Sequence, residues 1–178
     1  MAVLTAVQAS YVGSANGNIR KQRGGVEDRD SDGTALFQED ASETWKKGAW
    51  LLVQTDGDIA EVAVTTVPIP ASTLICGTAI EPASTTTGTN VYFNTIQPGD
   101  RYYMSVYHDT AASAVGARTM IGDNFNLQYI SNLMRVDIET TLDTALPYVR
   151  CVGFHPNEDI TDQNVRMLVE FPSQITVA

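Results

Sequence analysis

One stretch of the chain has the residue types and spacing of a metal-binding loop. Residues 28–39 read DRDSDGTALFQE and fit the pattern D-x-[DN]-x-[DN]-G-x5-E of EF-hand calcium loops. Ca²⁺ is a hard cation that prefers oxygen ligands, and carboxylates at this spacing can surround it. The predicted ligands are Asp28, Asp30, Asp32, the backbone carbonyl of Thr34, and Glu39.

The surroundings of this loop also fit a second interpretation, a solvated acidic turn. Gly24 and Gly25 interrupt the helix that leads into an EF-hand loop. Leu36 occupies the position that usually helps to carry a water ligand. Acidic, Gly-rich segments also produce such strings by composition alone. Calcium is therefore one of two alternatives, and no other cofactor is expected.

The remaining reactive side chains do not form a catalytic pattern. His108 stands beside Asp109 at the end of a predicted strand, and His155 precedes Pro156 in a polar turn. Neither histidine lies in a G-x-S-x-G or H-E-x-x-H motif. The chain also has no G-x-x-x-x-G-K or G-x-G-x-x-G loop for a nucleotide. We expect a protein that is not an enzyme.

The charge of the chain disfavours two classes of partner. The formal net charge is −10, and residues 48–178 carry five Lys/Arg against fourteen Asp/Glu. Such a field repels nucleic acid and anionic membranes, so neither is expected as a partner. No apolar run approaches the roughly 20 residues of a membrane span. The first residues lack the basic and apolar regions of a signal peptide, which predicts a protein that is not exported.

The two cysteines are too far apart in sequence to suggest a motif. Cys76 lies in TLICGTAI and Cys151 in YVRCVGF, both of which are apolar strand-like runs. We expect both to be small buried hydrophobic residues in a reducing compartment, not a disulfide or a metal pair.

Alternation of apolar and polar residues predicts a mainly β fold. In RYYMSVYH, Tyr102, Met104 and Val106 share one face, and LMRVDIE is expected to place Asp137 outward. Thr55-Asp56-Gly57-Asp58 predicts a two-residue hairpin turn, and QPGD predicts a second hairpin joining NVYFNTI to RYYMSVYH. Short strands with Gly, Pro and Asn turns favour a small β-barrel or sandwich domain over residues 43–178. Residues 1–42 have little hydrophobic periodicity and are expected to form an extended N-terminal arm.

Two groups of residues are candidates for contacts with other proteins. The basic cluster IRKQR in the arm is either a solvated loop or a docking contact on an acidic neighbour. The outward tyrosines either cover an interface or a barrel rim, or they offer stacking platforms for sugars; these are Tyr92, Tyr103, Tyr107 and Tyr129. The predicted interface residues are Ile19, Arg20, Lys21, Arg23, Tyr103 and Tyr107.

Several runs of the sequence resemble the capsid decoration (cement) proteins of tailed bacteriophages. These are ETWKKGAWLLVQTDGDIAEVA, LICGTAIEPAS, QPGDRYYMSV and the closing strand VRMLVEF, which together span about residues 43–172. The resemblance implies a small β-barrel or β-tulip-like domain with an extended terminal arm. It implies a structural virion protein, assembled in the host cytoplasm, that binds the outer surface of the head. It also implies that the major capsid protein is the partner and that the chain is a homo-oligomer, for which we expect a trimer. The alternative is a non-catalytic carbohydrate-binding β-domain, with or without a dependence on calcium.

Overall fold

The protein is mainly β, as the alternation predicts. The computed structural model describes residues 3–4, 9–14, 23–24, 37–63, 69, 74–96, 98–141 and 148–172. Within these residues there are two short 3-10 turns, at Ala111–Ser113 and Arg118–Met120, and eleven strands. The strands are β1 (Ser10–Ser14), β2 (Arg23–Gly24), β3 (Trp50–Val53), β4 (Ile59–Glu61), β5 (Leu74–Ala79), β6 (Phe93–Thr95), β7 (Asp100–Tyr107), β8 (Asn124–Ile130), β9 (Leu133–Thr141), β10 (Tyr148–Phe154) and β11 (Arg166–Glu170).

The chain divides into two compact units that are interleaved in sequence. Unit 1 comprises Met1–Ile19, Val64–Ser72 and Pro98–Gln174, and unit 2 comprises Arg20–Ala63, Thr73–Gln97 and Ile175–Ala178. The chain therefore passes from one unit to the other five times. Both units contain residues from the predicted arm and residues that follow it.

Unit 1 contains a closed five-stranded β-barrel. Its strands follow the order β7-β11-β10-β8-β9, and β9 returns to β7. The neighbours are antiparallel except for this closing pair, in which Val106 and Val136 lie side by side on parallel strands. Strand β1 pairs with the first half of β7, where Ser14 is opposite Asp100. The predicted barrel is thus confirmed for this part of the chain.

The interior of the barrel is filled by the apolar residues of the alternating strands. Side chains from all five strands are buried there, and the Tyr102 and Phe171 rings meet edge to face at 5.6 Å. Removing these side chains from water supplies the main stabilising free energy of the barrel. The buried set includes Tyr102, Met104, Val106, Phe125, Leu127, Tyr129, Met134, Val136, Val149, Cys151, Val165, Met167, Val169 and Phe171.

Asp137 of β9 lies on the face that the alternation predicts, but it is not exposed there. In the closing parallel pair it is beside Tyr107, which lies on the outer face of β7. Its exposed fraction is only 3%, and its Oδ1 accepts a hydrogen bond from Glu139 N–H. The next residue, Ile138, is partly exposed and belongs to the irregular stretch of β9 between Asp137 and Thr141, where a bulge disturbs simple alternation. Tyr129 is likewise buried and offers no outward ring.

Unit 2 is a small β-sheet whose two sides are joined by a short segment. The sheet has the order β2-β6-β5-β3-β4. Residues 37–40 connect two separate parts of this sheet. Glu39 bridges Ile59 of β4, and Gln38 bridges Asn90 just before β6. This described end of the predicted arm is therefore part of the folded unit. Strands β1 and β2, which also lie within residues 1–42, pair with β7 and β6. For the remaining residues of 1–42 the extended arm stays a prediction.

The core of unit 2 is a compact apolar cluster. Phe37 packs against it, and its ring meets Phe93 edge to face at 5.4 Å. The residues of the cluster come from strands β3, β4, β5 and β6 and from the segments just before β3 and β6. They are Trp45, Ala49, Leu51, Ile59, Cys76, Ala79, Val91 and Phe93.

The turns of unit 2 differ in detail from the prediction. Strands β3 and β4 do form a hairpin, but Val53 pairs with Ile59, so the loop is longer than two residues. The Gln54 backbone N–H donates to the Asp58 carbonyl at 2.8 Å. Within the turn only Gly57 has a positive φ, of 96°. The second predicted hairpin is wrong, since β6 pairs in unit 2 and β7 in unit 1. The QPGD turn itself is present, with Gly99 at φ 83°.

Both cysteines are free and buried, as predicted. Burial raises the thiol pKa to about 12 for Cys76 and to about 11 for Cys151, because the thiolate is poorly solvated there. Separately, none of the helical segments among the described residues has the length and apolar character needed to cross a membrane.

Candidate functional site

Two of the predicted interface residues lie on the outer face of β7, in unit 1. Tyr103 and Tyr107 alternate with the buried Tyr102, Met104 and Val106, and both are half-buried. The Tyr103 ring meets the His155 ring edge to face at 4.8 Å. The tyrosines are therefore held in place by neighbouring side chains of the same unit.

Tyr107 belongs to a polar network that fixes its ring and its hydroxyl. The hydroxyl donates to Asp109 Oδ1 at 2.7 Å, and this hydrogen bond raises the pKa of Tyr107 to about 12. The Arg135 guanidinium lies 5.1 Å from the centre of the Tyr107 ring, a cation–π geometry. Arg135 also donates to the Val106 carbonyl at 2.9 Å and to Asn164 Oδ1. Burial lowers the pKa of Arg135.

Asn164 connects this network to the start of the chain. Its amide Nδ2 donates to the Leu4 carbonyl at 2.8 Å, and its backbone N–H donates to Ala114 at 2.7 Å. Asn164 adopts φ 59°, a conformation that asparagine tolerates better than most residues. Arg135 Nε and its cross-strand neighbour Gln128 Oε1 are buried without a hydrogen-bond partner.

A second polar network surrounds Tyr103. Arg166 holds Glu158 through its backbone N–H at 2.7 Å and through Nε, and it approaches His155 Nε2 at 3.1 Å through its terminal nitrogen. Since a guanidinium can only donate, His155 Nε2 is the acceptor in this contact. Arg101 and Glu170 form a further ion pair at 2.7 Å. The outer face of β7 is thus a surface whose side chains are already fixed in one arrangement.

An acidic edge lies at the end of β7. Asp109 N–H donates to Glu139 Oε1, whose distance to His108 Nδ1 is 3.5 Å. Thr110 N–H donates to the same His108 nitrogen at 3.0 Å, so this nitrogen acts as an acceptor when the ring is neutral. Burial raises the pKa of the nearby Asp137 carboxyl, although its Oδ1 accepts a hydrogen bond from Glu139 N–H. No nucleophile is placed next to either histidine among the contacts of the described residues.

Glu39 is the one predicted calcium ligand that the structure describes. Its carboxylate is 2% exposed and accepts hydrogen bonds from Ser84 N–H and Ser84 Oγ, both at 2.8 Å, and from Thr85 N–H at 2.7 Å. It therefore fixes the loop after β5, in which Thr85 has a positive φ of 66°. The other predicted ligands, Asp28, Asp30, Asp32 and Thr34, lie outside the described residues. The calcium site stays a prediction.

The basic cluster of the arm is also mostly outside the described residues. This applies to Ile19, Arg20 and Lys21, whereas the backbone of Arg23 pairs with Asn94 in strand β2. The docking role of this cluster stays a prediction.

A pocket on unit 2 is a site that the sequence reasoning did not identify. It lies beside Tyr92, which is 39% exposed, and its volume is about 70 Å³. Trp45 and Glu39 contribute to its buried side, and the polar residues Glu81, Ser84 and Asn90 line the rest. The Trp45 indole N–H donates to the Glu81 carbonyl at 3.2 Å, which holds the loop in place. The alternation of Asn90 and Tyr92 was the available signal, since residues two apart in an extended segment share a face.

Several of the described carboxylates of unit 2 lie close together near the β3–β4 turn. Burial, followed by the repulsion of Asp40 and Glu61, raises the pKa of Glu43. Burial and the charges of Asp56 and Asp40 raise the pKa of Asp58. Within the described ranges, no group of three or more His, Cys, Asp or Glu side chains has the geometry to hold a metal ion.

Comparison with known proteins does not assign the chain to a family. No protein-family model, curated protein or solved structure matches the sequence or the fold.

Proposed function

We propose that this chain is a capsid decoration protein of a tailed bacteriophage, a structural protein without catalytic activity. It binds the outer surface of the head and stabilises the contacts between capsomers of the major capsid protein. The sequence resemblance described above is one support for this proposal. The other is the outer face of β7.

The observation that carries the proposal is the fixed arrangement of Tyr103 and Tyr107. His155 packs against the first ring, and Arg135 and Asp109 hold the second. Association costs free energy whenever side chains become ordered, and side chains that are already ordered avoid part of this cost. Tyrosine is also enriched among the residues that dominate binding at protein interfaces. A surface of this kind suits a protein whose role is contact alone.

Binding to heads that lack a decoration protein tests this proposal. We expect the purified chain to bind such heads until the sites are saturated and to raise their resistance to heat. Many copies on a symmetric lattice act together, so each contact can be weak. Light scattering of the free chain determines whether it is the expected homotrimer.

Variants of the β7 surface locate the contact. Tyr103→Ala should weaken binding to heads by more than about tenfold, the effect of losing an interface aromatic. Tyr107→Phe keeps the ring but loses the hydrogen bond to Asp109, and should weaken binding less. Ile121→Ala is the control, because Ile121 is exposed in unit 1 away from β7. Absence of saturable binding, or equal binding by Tyr103→Ala and Ile121→Ala, would contradict the proposal.

A carbohydrate-binding domain is the second candidate, and the exposed ring of Tyr92 beside Asn90 favours it. Aromatic rings stack on sugar faces, and amides hydrogen-bond their hydroxyls. In that case, sugars should raise the melting temperature of the chain, and calcium should add to this effect. The binding of heads and the effect of sugars separate the two candidates.

A further inference from the structure

The pocket beside Tyr92 has no assigned occupant, and its chemistry selects one. The aromatic wall is the exposed Tyr92 ring, and Trp45 lies at the buried side. The polar lining residues are Glu39, Glu81, Ser84, Thr89 and Asn90. Among the residues that the structure describes, no Lys, Arg or His lines the pocket. Acceptor groups and an aromatic face together favour a cation.

The charge of the surrounding unit points in the same direction. Among the described residues of unit 2, only Lys46 and Lys47 are basic with described side chains, and both are exposed. Glu39 keeps its carboxylate buried next to the pocket, where only hydrogen-bond donors of the loop compensate its charge. A cation in the pocket gains more from this carboxylate than it would in water, because the local dielectric constant is lower.

The size of the pocket separates a side-chain head group from a whole sugar. At about 70 Å³, the pocket is roughly half of the 150 Å³ cavity that holds a benzene ring in another protein. A pyranose ring is larger than benzene and is not enclosed by the pocket; it would stack at the mouth, on the exposed Tyr92 ring. A guanidinium group is planar and small, and it presents its donors in a fork that suits carboxylate and amide oxygens.

Unit 1 contains an internal example of the same contact. There the Arg135 guanidinium lies over the Tyr107 ring at 5.1 Å while it donates to a carbonyl and to the Asn164 amide oxygen. Tyr92 and Asn90 offer the same two kinds of group, a tyrosine face and an amide oxygen, and none of the described lining residues is an arginine.

We propose that the Tyr92 pocket receives the guanidinium of an arginine on a partner protein. Tyr92 stacks on the plane of this group, Glu81 and Asn90 accept its hydrogen bonds, and Glu39 provides a negative potential from beneath. The inference rests on the proposed function to the extent that the partner is the major capsid protein, which would then present an arginine at the contact.

Two amino-acid amides of the same shape test the pocket without any capsid. The probes are N-acetyl-arginine amide and N-acetyl-citrulline amide, which differ in the charge of the head group. In NMR titrations of the full chain, the arginine probe should shift the Trp45 indole N–H signal saturably at millimolar concentration. The citrulline probe should cause little shift. Equal shifts with both probes would overturn the proposal.

Variants of the pocket show whether its own residues bind the probe. Tyr92→Ala should weaken the affinity for the arginine probe about fivefold, the size of an exposed to partly desolvated cation–π contact. Glu81→Gln should weaken it by a similar factor. Asp56→Asn is the matched control, since it removes one charge from the β3–β4 turn of the same unit. If Asp56→Asn weakens binding as much as Glu81→Gln, the effect is that of general charge and the pocket assignment fails. A sugar or calcium that shifts the same signal while arginine does not would also overturn it.

The same variants on phage heads distinguish this inference from the proposed function. If the unaltered chain binds heads and Tyr92→Ala binds equally well, the arginine pocket is not part of the contact and this inference fails while the proposed function stands. If the arginine probe binds as described and the chain does not bind heads, the pocket assignment stands and the proposed function fails.

Discussion

The two units carry the same formal charge, but their described charged side chains have different kinds of partner. Unit 1 has five arginines and ten Asp/Glu, and unit 2 has six Lys/Arg and eleven Asp/Glu, so each is at −5. In unit 1 three of the five arginines meet carboxylates or a ring, in Arg101–Glu170, Arg166–Glu158 and Arg135–Tyr107. In unit 2 the described carboxylates of Asp40 and Glu43 are held by amide N–H groups of Gln54 and Glu61.

This difference means that net charge alone does not identify a binding surface. A carboxylate paired with an arginine has already exchanged water for a cation, and a partner gains little from it. A carboxylate held by neutral amide groups keeps its negative field. Unit 2 is therefore the unit at which a cationic partner is stabilised most, although both units are equally acidic.

Unit-specific probes make this comparison measurable. Both tryptophans, Trp45 and Trp50, belong to unit 2, so tryptophan fluorescence follows the unfolding of that unit. Cys151 belongs to unit 1 and is buried, so its reaction with a thiol reagent follows unit 1 once Cys76 has been replaced by Ala.

The largest effect is expected for Gly77→Ala in β5. A Cβ at this position would lie 2.2 Å from the Asn94 backbone carbonyl oxygen and 2.7 Å from the Phe93 ring. Since the obstacle is the backbone of β6, the strands must separate, and the free energy of unfolding should fall by about 3 kcal/mol. Denaturant unfolding followed by tryptophan fluorescence measures this change.

Gly153→Ala in β10 of unit 1 is the matched control. A Cβ there meets no atom within 4 Å. Its effect on the stability of unit 1, measured by the thiol reactivity of Cys151, should remain within about 0.5 kcal/mol. Equal effects of the two substitutions would show that the close approach of β5 and β6 is not a constraint.

The second-largest loss of stability is expected for Glu39→Gln. The substitution replaces one of the two oxygens that accept hydrogen bonds from Ser84 and Thr85. A buried N–H then faces an amide N–H, and unit 2 should lose about 2 kcal/mol of stability. Glu81→Gln, at an exposed position in the same unit, should change stability by less than about 0.5 kcal/mol. A stable Glu39→Gln variant would show that the carboxylate does not hold the loop.

A smaller effect is expected for Glu158→Gln in unit 1. Arg166 loses its charged partner but keeps a hydrogen-bond acceptor, so the cost should be about 1 kcal/mol. The thiol reactivity of Cys151 should rise accordingly, and the tryptophan signal of unit 2 should not change at low denaturant. A shift of the tryptophan signal alone would contradict the assignment of this ion pair to unit 1.

The smallest effects are changes of stability with pH. They have opposite signs for Glu43 of unit 2 and Asp159 of unit 1. The pKa of Glu43 is raised above 4.5, mainly by burial, so its contribution to stability is complete below that pH and is lost as pH rises through the folded value. Glu43→Gln should therefore stabilise unit 2 at neutral pH and have no such benefit in acid. In unit 1 the hydrogen bond from the Thr161 backbone N–H lowers the pKa of Asp159. Asp159 thus contributes stability above 3.8 that is lost in acid, and Asp159→Asn should destabilise unit 1 at neutral pH.

Urea unfolding of both variants at neutral and acidic pH checks these signs. Stabilisation by Asp159→Asn, or destabilisation by Glu43→Gln at neutral pH, would reverse the comparison between the units.

The sequence predicted those features that local chemistry determines. The run from Val165 to Phe171 places its alternate residues on the buried face because a strand that is half-buried leaves no other choice. Gly57 and Gly99 mark turns because their positive φ values exclude most side chains. The mainly β class and the barrel follow from many such runs.

Features that depend on distant partners could not be predicted in this way. Strands β6 and β7 pair in different sheets, and nothing in their own sequences indicates this. Asp137 lies on the outer face beside Tyr107 and is nevertheless only 3% exposed, because other parts of the chain cover it, which alternation within β9 cannot reveal. The Tyr92 pocket requires Glu39 and Trp45 to meet a loop that lies about 40 residues later in the chain, and it becomes visible only in three dimensions.

The interleaved order of the segments has a consequence for synthesis on the ribosome. The sheet of unit 2 is complete once β6 has emerged, whereas β1 was made long before and pairs with β7, with Ser14 opposite Asp100. Strand β1 therefore remains unpaired during synthesis until β7 emerges, while unit 2 can already fold. The barrel closes only after β11 has left the ribosomal tunnel. A translational pause placed after β6 would lengthen this waiting period and expose the early strand to aggregation.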